Sequence, residues 1–127
     1  MIFGIGIDII EIERVKKSVE KFDDLFLNKI YTSTELEYCL KKKNKYQHLA
    51  ARFAAKEAIA KALATGWSKG FRWKDIEIFN ESSGMPNVKL HGKLQKFLGK
   101  DKLLKISMSH SESYVTCFAI IYSNYQN

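Results

Sequence analysis

The sequence predicts a chain of mixed helices and strands, and three observations carry that reading. An apolar segment alternating with period two opens the chain at Ile2 and runs to Ile10. Eight alanines fall between Ala50 and Ala64, a composition that favours helix and allows close packing. Near the end, the alternating segment 104–110 and the apolar segment 115–122 flank Ser111-Glu112-Ser113, which predicts a hairpin.

The opening strand puts Phe3, Ile5, Ile7 and Ile9 on one face and Ile2, Gly4, Gly6, Asp8 and Ile10 on the other. The first face is expected in the core. Two glycines ahead of a carboxylate on the second face mark a close approach, either by a ligand or by a helix packed over them. A helix is predicted over 11–22, with Ile12, Val15, Val19 and Phe22 as its apolar stripe. Arg14, Lys17 and Lys21 lie on another face of it, an ordinary exposed basic stripe or a surface for an acidic partner.

A second helix is predicted over 33–42, where Thr32 with Glu35 or Thr34 with Glu37 would make a capping box. Residues 41–45 read as a loop. The long alanine-rich helix is predicted over 47–64, ending with Gly66 at C′. It is expected to be the central, best-buried helix. Residues 66–73 form a glycine- and aromatic-containing loop. A strand follows over 76–79, then a turn over 80–87 holding Gly84-Met85-Pro86, a short strand over 88–90 and a helix over 92–98. The segment 115–122 is apolar enough to predict a strand covered on both faces.

The chain has 127 residues, which fits one domain spanning 1–127. Cys39 and Cys117 sit among apolar neighbours without metal-ligand spacing and read as small buried thiols. The N-terminus lacks a basic n-region, and no apolar run is long enough to span a bilayer, so a soluble cytoplasmic protein without a membrane partner is expected. A net charge of +7 suits a polyanionic partner: nucleic acid, an acidic protein or a multiply phosphorylated small molecule.

The residues able to carry chemistry are few. Asp8 closes an apolar strand, where a carboxylate is costly to bury unless paired or metal-bound. It could also serve as a helix N-cap. Glu57 and Lys61 stand at i,i+4, the spacing of a surface ion pair, but in unusually apolar surroundings. If Asp8 and Glu57 meet in space, their repulsion requires a cation, and magnesium fits carboxylate oxygens combined with phosphate and water. His48, His91 and His110 show no zinc spacing. Ser107, Ser109 and His110 could hydrogen-bond a phosphate, although a strand-end histidine is often structural. Neither a GxSxG elbow, a phosphate-binding loop with its lysine, nor a GxGxxG turn is present.

Four ordered motifs then combine: Gly4-Ile5-Gly6-Ile7-Asp8 with Arg14, Phe53 to Lys61, Gly84-Met85-Pro86, and Ser107-Met108-Ser109-His110. With them the chain resembles the holo-acyl-carrier-protein synthases, the small single-domain class of 4′-phosphopantetheinyl transferases, over essentially its whole length. The larger two-domain transferases carry a second acid two residues after the first. Ile10 stands there, which agrees with the small class. Ser111 replaces a residue that is often another polar or an acidic one.

The resemblance implies an α+β fold with a small, mainly antiparallel sheet packed with a long central helix. It implies a homotrimer with coenzyme A bound between subunits. The implied reaction moves 4′-phosphopantetheine from coenzyme A to a serine of apo-acyl carrier protein, leaving adenosine 3′,5′-bisphosphate. By position, Asp8 and Glu57 would bind Mg2+. Glu57, directly or through a metal-bound water, would take the serine proton, and Lys61 would stabilise or protonate the leaving phosphate. Arg52 and His110 become candidates for the ligand's phosphates, with Gly84, Pro86 and Ser109 beside them. Arg14, Lys17 and Lys21 would meet the acidic carrier protein. The rival readings are a non-catalytic basic module binding nucleic acid, and a magnesium-dependent phosphotransferase using a free nucleotide.

Overall fold

The structure is a computed structural model and describes residues 1–64 and 70–123. In chain order the elements are β1 (Ile2–Glu11), α1 (Ile12–Phe22), α2 (Asp24–Ile30), α3 (Ser33–Leu40), α4 (Lys45–Ala62), a 3-10 turn (Trp73–Asp75), β2 (Ile76–Asn80), β3 (Pro86–Leu90), α5 (Gly92–Leu98), β4 (Lys102–His110) and β5 (Tyr114–Ser123). The fold is α+β, as the motifs implied. An antiparallel sheet in the order β1-β5-β4 carries the long helix α4 across β1 and β5, and the β2-β3 hairpin forms a second sheet beside it. Among the described residues, no helix is long and apolar enough to cross a membrane.

Glycine decides how the layers meet. A Cβ on Gly4 would sit 1.9 Å from the Ala62 carbonyl oxygen, and one on Gly6 equally close to that of Ala58. Helix backbone therefore lies directly on strand backbone, and the tight helix packing is the reason for the glycines. The alanines Ala54, Ala55, Ala58 and Ala62 supply the matching thin surface, all buried. This packing turns the expected core face outward: Phe3, Ile5, Ile7 and Ile9 are between 49% and 65% exposed. The alternation was right, but the face that meets the helix is the glycine face.

The same geometry corrects β5. Val115, Cys117, Ala119 and Ile121 are buried against α4, whereas Tyr114 and Phe118 on the other face are exposed. The strand is covered on one side only. Along α1, Val15 is buried and Ile12 and Val19 pack against the core, but Phe22 at the end of the stripe is exposed. Helix α2 has no counterpart in the sequence reading.

Local signals explain most boundaries. Thr32 rather than Thr34 caps α3: its hydroxyl accepts from the Glu35 amide while Glu35 Oε1 accepts from the Thr32 amide. Helix α4 starts two residues earlier than expected and stops at Ala62, with Ala64 in the left-handed region at φ 59°. Gly66, expected at C′, lies outside the described residues. Strand β3 begins two residues early, at Pro86, and β4 and β5 extend slightly beyond their predicted ends.

Candidate active site

Strand β1 continues through Asp8 to Glu11, so Asp8 lies inside the strand and does not close it. It is not the N-cap of α1 either: that position is Glu11, without a side-chain cap. The first amide of α1, on Ile12, instead donates to the Ser113 carbonyl in the β4–β5 turn, 2.9 Å away. Asp8 shares its face with the glycines, and so it comes up against α4. A cleft of about 290 Å³ opens there, and Asp8, Glu57 and Arg14 all line it. The two carboxylates that the sequence places 49 positions apart thus share one small space.

Lys61 reaches back from α4 to β1. Its Nζ donates to the Ile7 carbonyl at 2.9 Å and to Asp8 Oδ1 at 3.2 Å. The wall of the cleft is aromatic. Phe26 stacks on Phe53 at 6.3 Å, and Phe53 on Trp73 at 5.1 Å, so the final residue of the 66–73 loop buttresses a cleft-lining ring. Residues 65–69 lie outside the described residues.

A second cleft, of about 280 Å³, gathers Arg52, Gly84, Pro86, Ser109 and His110, the residues expected near a phosphate-bearing ligand. Gln47, His48, Asn80 and Met108 also line it. Sequence reasoning quoted Met108 only within its motif and missed Gln47, His48 and Asn80, although the i,i+4 spacing of His48 and Arg52 on one helix could have signalled His48. Burial lowers the His48 pKa from its ordinary value, and the charges of Arg52, Lys42 and His110 lower it further. The cleft is therefore a basic place, suited to an anion.

Arg52 occupies this cleft as a buried side chain, 2% exposed. Its Nη2 donates to Asn80 Oδ1 at 3.0 Å, and its guanidinium lies 4.5 Å from the centre of the Tyr38 ring. Asn80 in turn donates from Nδ2 to the Gly84 carbonyl at 3.0 Å. Arg52 thereby fixes the Gly84–Pro86 turn to α4. Gly84 has φ 90°, a conformation that glycine adopts without strain. Among the described residues, the Arg52 Nε hydrogen is buried without a protein acceptor, an unmet donor in the wall of an anion-suited cleft.

Lys17 and Lys21 line neither cleft and are exposed on α1, beyond Arg14. The thiols are inert by position: burial pushes Cys39 up to about 11 and Cys117 up to about 12. Among the described residues, no three His, Cys, Asp or Glu side chains gather as a metal cluster. A cation in the first cleft would therefore rest on the two carboxylates, with the ligand and water completing its shell. That donor set is all oxygen and fits magnesium, which takes few protein ligands when it also holds phosphate.

Comparison with known proteins agrees with this architecture. A family model of the 4′-phosphopantetheinyl transferase superfamily matches residues 4–119. The chain belongs to that superfamily, on its holo-acyl-carrier-protein synthase branch, and is an enzyme of that family. Holo-[acyl-carrier-protein] synthase of Protochlamydia amoebophila is 48% identical over 120 residues, covering 94% of this chain and 98% of the relative. The crystal structure of the Neisseria meningitidis holo-[acyl-carrier-protein] synthase is similar at TM-score 0.87 and 33% identity, covering 97% of this chain and 100% of that one. The Helicobacter pylori synthase in complex with coenzyme A gives TM-score 0.80 at 32% identity, covering 93% of this chain and 99% of that one.

Proposed function

We propose that the chain transfers the 4′-phosphopantetheine group of coenzyme A to a serine hydroxyl of apo-acyl carrier protein. The products are holo-acyl carrier protein and adenosine 3′,5′-bisphosphate. The observation that carries this reading is the shared cleft of Asp8, Glu57 and Arg14, with Lys61 held to Asp8. Binding of coenzyme A by a similar synthase supports the donor, and the curated relatives' names support the acceptor.

The chemistry asks more for positioning and charge neutralisation than for covalent help. Asp8 and Glu57 would hold magnesium, which when bound neutralises the diphosphate of the donor. Glu57 accepts the proton of the attacking serine hydroxyl. The serine oxygen bonds to the phosphorus of the pantetheine phosphate as the bond from that phosphorus to the departing bisphosphate's oxygen breaks. Lys61 neutralises or protonates the departing phosphate. The second cleft takes the remaining phosphate and the nucleotide end of the donor, using His110 and Ser109, the Gly84–Pro86 turn and the Arg52 Nε.

Arg14, Lys17 and Lys21 form a basic stripe that leads away from the cleft along α1, complementary to an acidic carrier protein. The exposed apolar face of β1, with Phe3, Ile5, Ile7, Ile9 and neighbouring Phe118, is the expected contact between copies. A homotrimer would cover it and would bring the second cleft of one subunit towards the first cleft of the next. The place of action is the cytoplasm, in fatty acid biosynthesis.

The test is the intact mass of apo-acyl carrier protein after incubation with the chain, coenzyme A and magnesium. A gain of one phosphopantetheine arm, abolished by EDTA, is expected. No gain with folded protein and several carrier proteins would overturn the reading.

A further inference from the structure

We infer that the Lys61 ammonium stands in for the divalent cation at Asp8, and that the two compete for this carboxylate. The inference rests on the reading of Asp8 and Glu57 as the metal-holding pair. It adds a second state for Lys61, which is paired with Asp8 while the metal is absent and released when the metal arrives.

The geometry carries it as follows. The Asp8 side chain is mostly enclosed, 19% exposed, and faces a cleft that it shares with Glu57. An enclosed carboxylate beside another needs a positive partner. Lys61 supplies one, at 3.2 Å from Asp8 Oδ1. The Lys61 side chain itself is 55% exposed, so nothing in the packing locks it there. Its other anchor is the Ile7 carbonyl, on a strand that among the described residues pairs with β5 alone. Lysine commonly covers such a strand edge, and that role alone would not require the Asp8 contact.

An ammonium and a divalent cation on the same carboxylate repel one another. Entry of the cation therefore weakens the Lys61–Asp8 pair. The freed ammonium sits on a long flexible stem one helical turn after Glu57, beside the cleft where an anionic ligand would bind. Metal loading thus prepares a positive charge for the ligand's phosphate. By linkage, metal and phosphate ligand then favour each other through Lys61 as well as by direct contact.

The test measures Mn2+ binding by the electron paramagnetic resonance of the free ion, without nucleotide. The samples are the unaltered chain, Lys61→Met, Lys61→Arg, Lys96→Met and Asp8→Asn. Removing the competitor in Lys61→Met is expected to tighten Mn2+ binding roughly tenfold, within the usual range of site–site coupling. Lys61→Arg keeps the charge and is expected to bind as the unaltered chain does. Lys96→Met removes the same charge from an exposed position on α5, away from Asp8, and is expected to leave affinity unchanged. Asp8→Asn is expected to lose most of the binding.

Unchanged or weaker binding in Lys61→Met, with Asp8→Asn still impaired, would overturn the competition and leave the metal-holding pair standing. Equal tightening in Lys96→Met or in Lys61→Arg would also overturn it, because the effect would then be unspecific. Full binding in Asp8→Asn would remove the metal role of Asp8 and the inference with it.

Discussion

Side chain by side chain, the apolar centre is organised around one buried ion pair. Lys56 and Glu35 are both buried and meet at 2.7 Å. Lys56 Nζ also donates to the Ile30 carbonyl, and Glu35 Oε2 accepts from the Ile78 amide. Together they tie the end of α2, the start of α3, α4 and β2 to one point, with Lys56 next to Glu57 along α4. Burial lowers the Lys56 pKa and Glu35 opposes that shift. Lys56→Met is expected to destabilise the chain by about 3–5 kcal/mol, since Glu35 would be left charged without its cation. Urea unfolding would show this, and a loss below ~1 kcal/mol would contradict it.

Glu77 makes a pH-dependent contribution nearby. Burial raises its pKa, but hydrogen bonds from Thr32, His91 and Thr34 outweigh burial and hold it below the ordinary 4.5. A carboxyl with a lowered native pKa stabilises fully above its unfolded value, and loses that contribution as pH falls through the native one. The urea midpoint of the unaltered chain is therefore expected to drop more steeply below pH 4.5 than that of Glu77→Gln. Parallel acid limbs would refute this.

Among the elements, the meeting of β1 with α4 sets the site. A methyl on Gly6 would collide with the Ala58 backbone carbonyl, and neither backbone can yield cheaply. Gly6→Ala is expected to cost about 1–3 kcal/mol or more and to move Asp8 away from Glu57. Thermal unfolding and Mn2+ affinity report the two effects separately. The C-terminal end of α4 offers the opposite case. Ala64 holds φ 59°, where a Cβ costs about 1–2 kcal/mol. Ala64→Gly is expected to stabilise by about 1 kcal/mol, and a destabilised variant would contradict the strain.

These elements show how far the sequence could be read. The period of β1 gave its two faces, because alternation follows from strand geometry. It could not say which face the helix covers. Isoleucine and phenylalanine argue for the core by size, whereas the glycines win because only they admit α4 so closely. Strand β5 misled for a related reason: an apolar run looks alike whether its second face meets a helix or, as with Tyr114 and Phe118, stays exposed in the single chain. Helix α2 went unread because seven residues give a weak period, and Asp23 at φ 46° separates it abruptly from α1. For the site, Asp8, Arg14 and Glu57 line one cleft and Arg52, Gly84, Pro86, Ser109 and His110 another, whereas Lys61 lines neither. Their grouping was invisible, since it depends on the long-range approach of β1, α4 and β4.

For the molecule as a whole, two features face outward without a partner in a single chain. One is the β1 face, and the other is the separation of the motif residues into two clefts. The proposed trimer would account for both. Ile5→Asp is expected to reduce the mass in sedimentation equilibrium from three chains to one chain of 14.7 kDa. It would also lower transfer activity. A protein that is already monomeric before substitution would refute the trimer.

The measurement that tests the central claim most directly is the anomalous scattering of Mn2+ in crystals grown with coenzyme A. The account predicts a peak contacted by the carboxylates of Asp8 and Glu57, with density for a phosphate against it. Bound coenzyme A with its cation held elsewhere, or with no cation at these carboxylates, would contradict it.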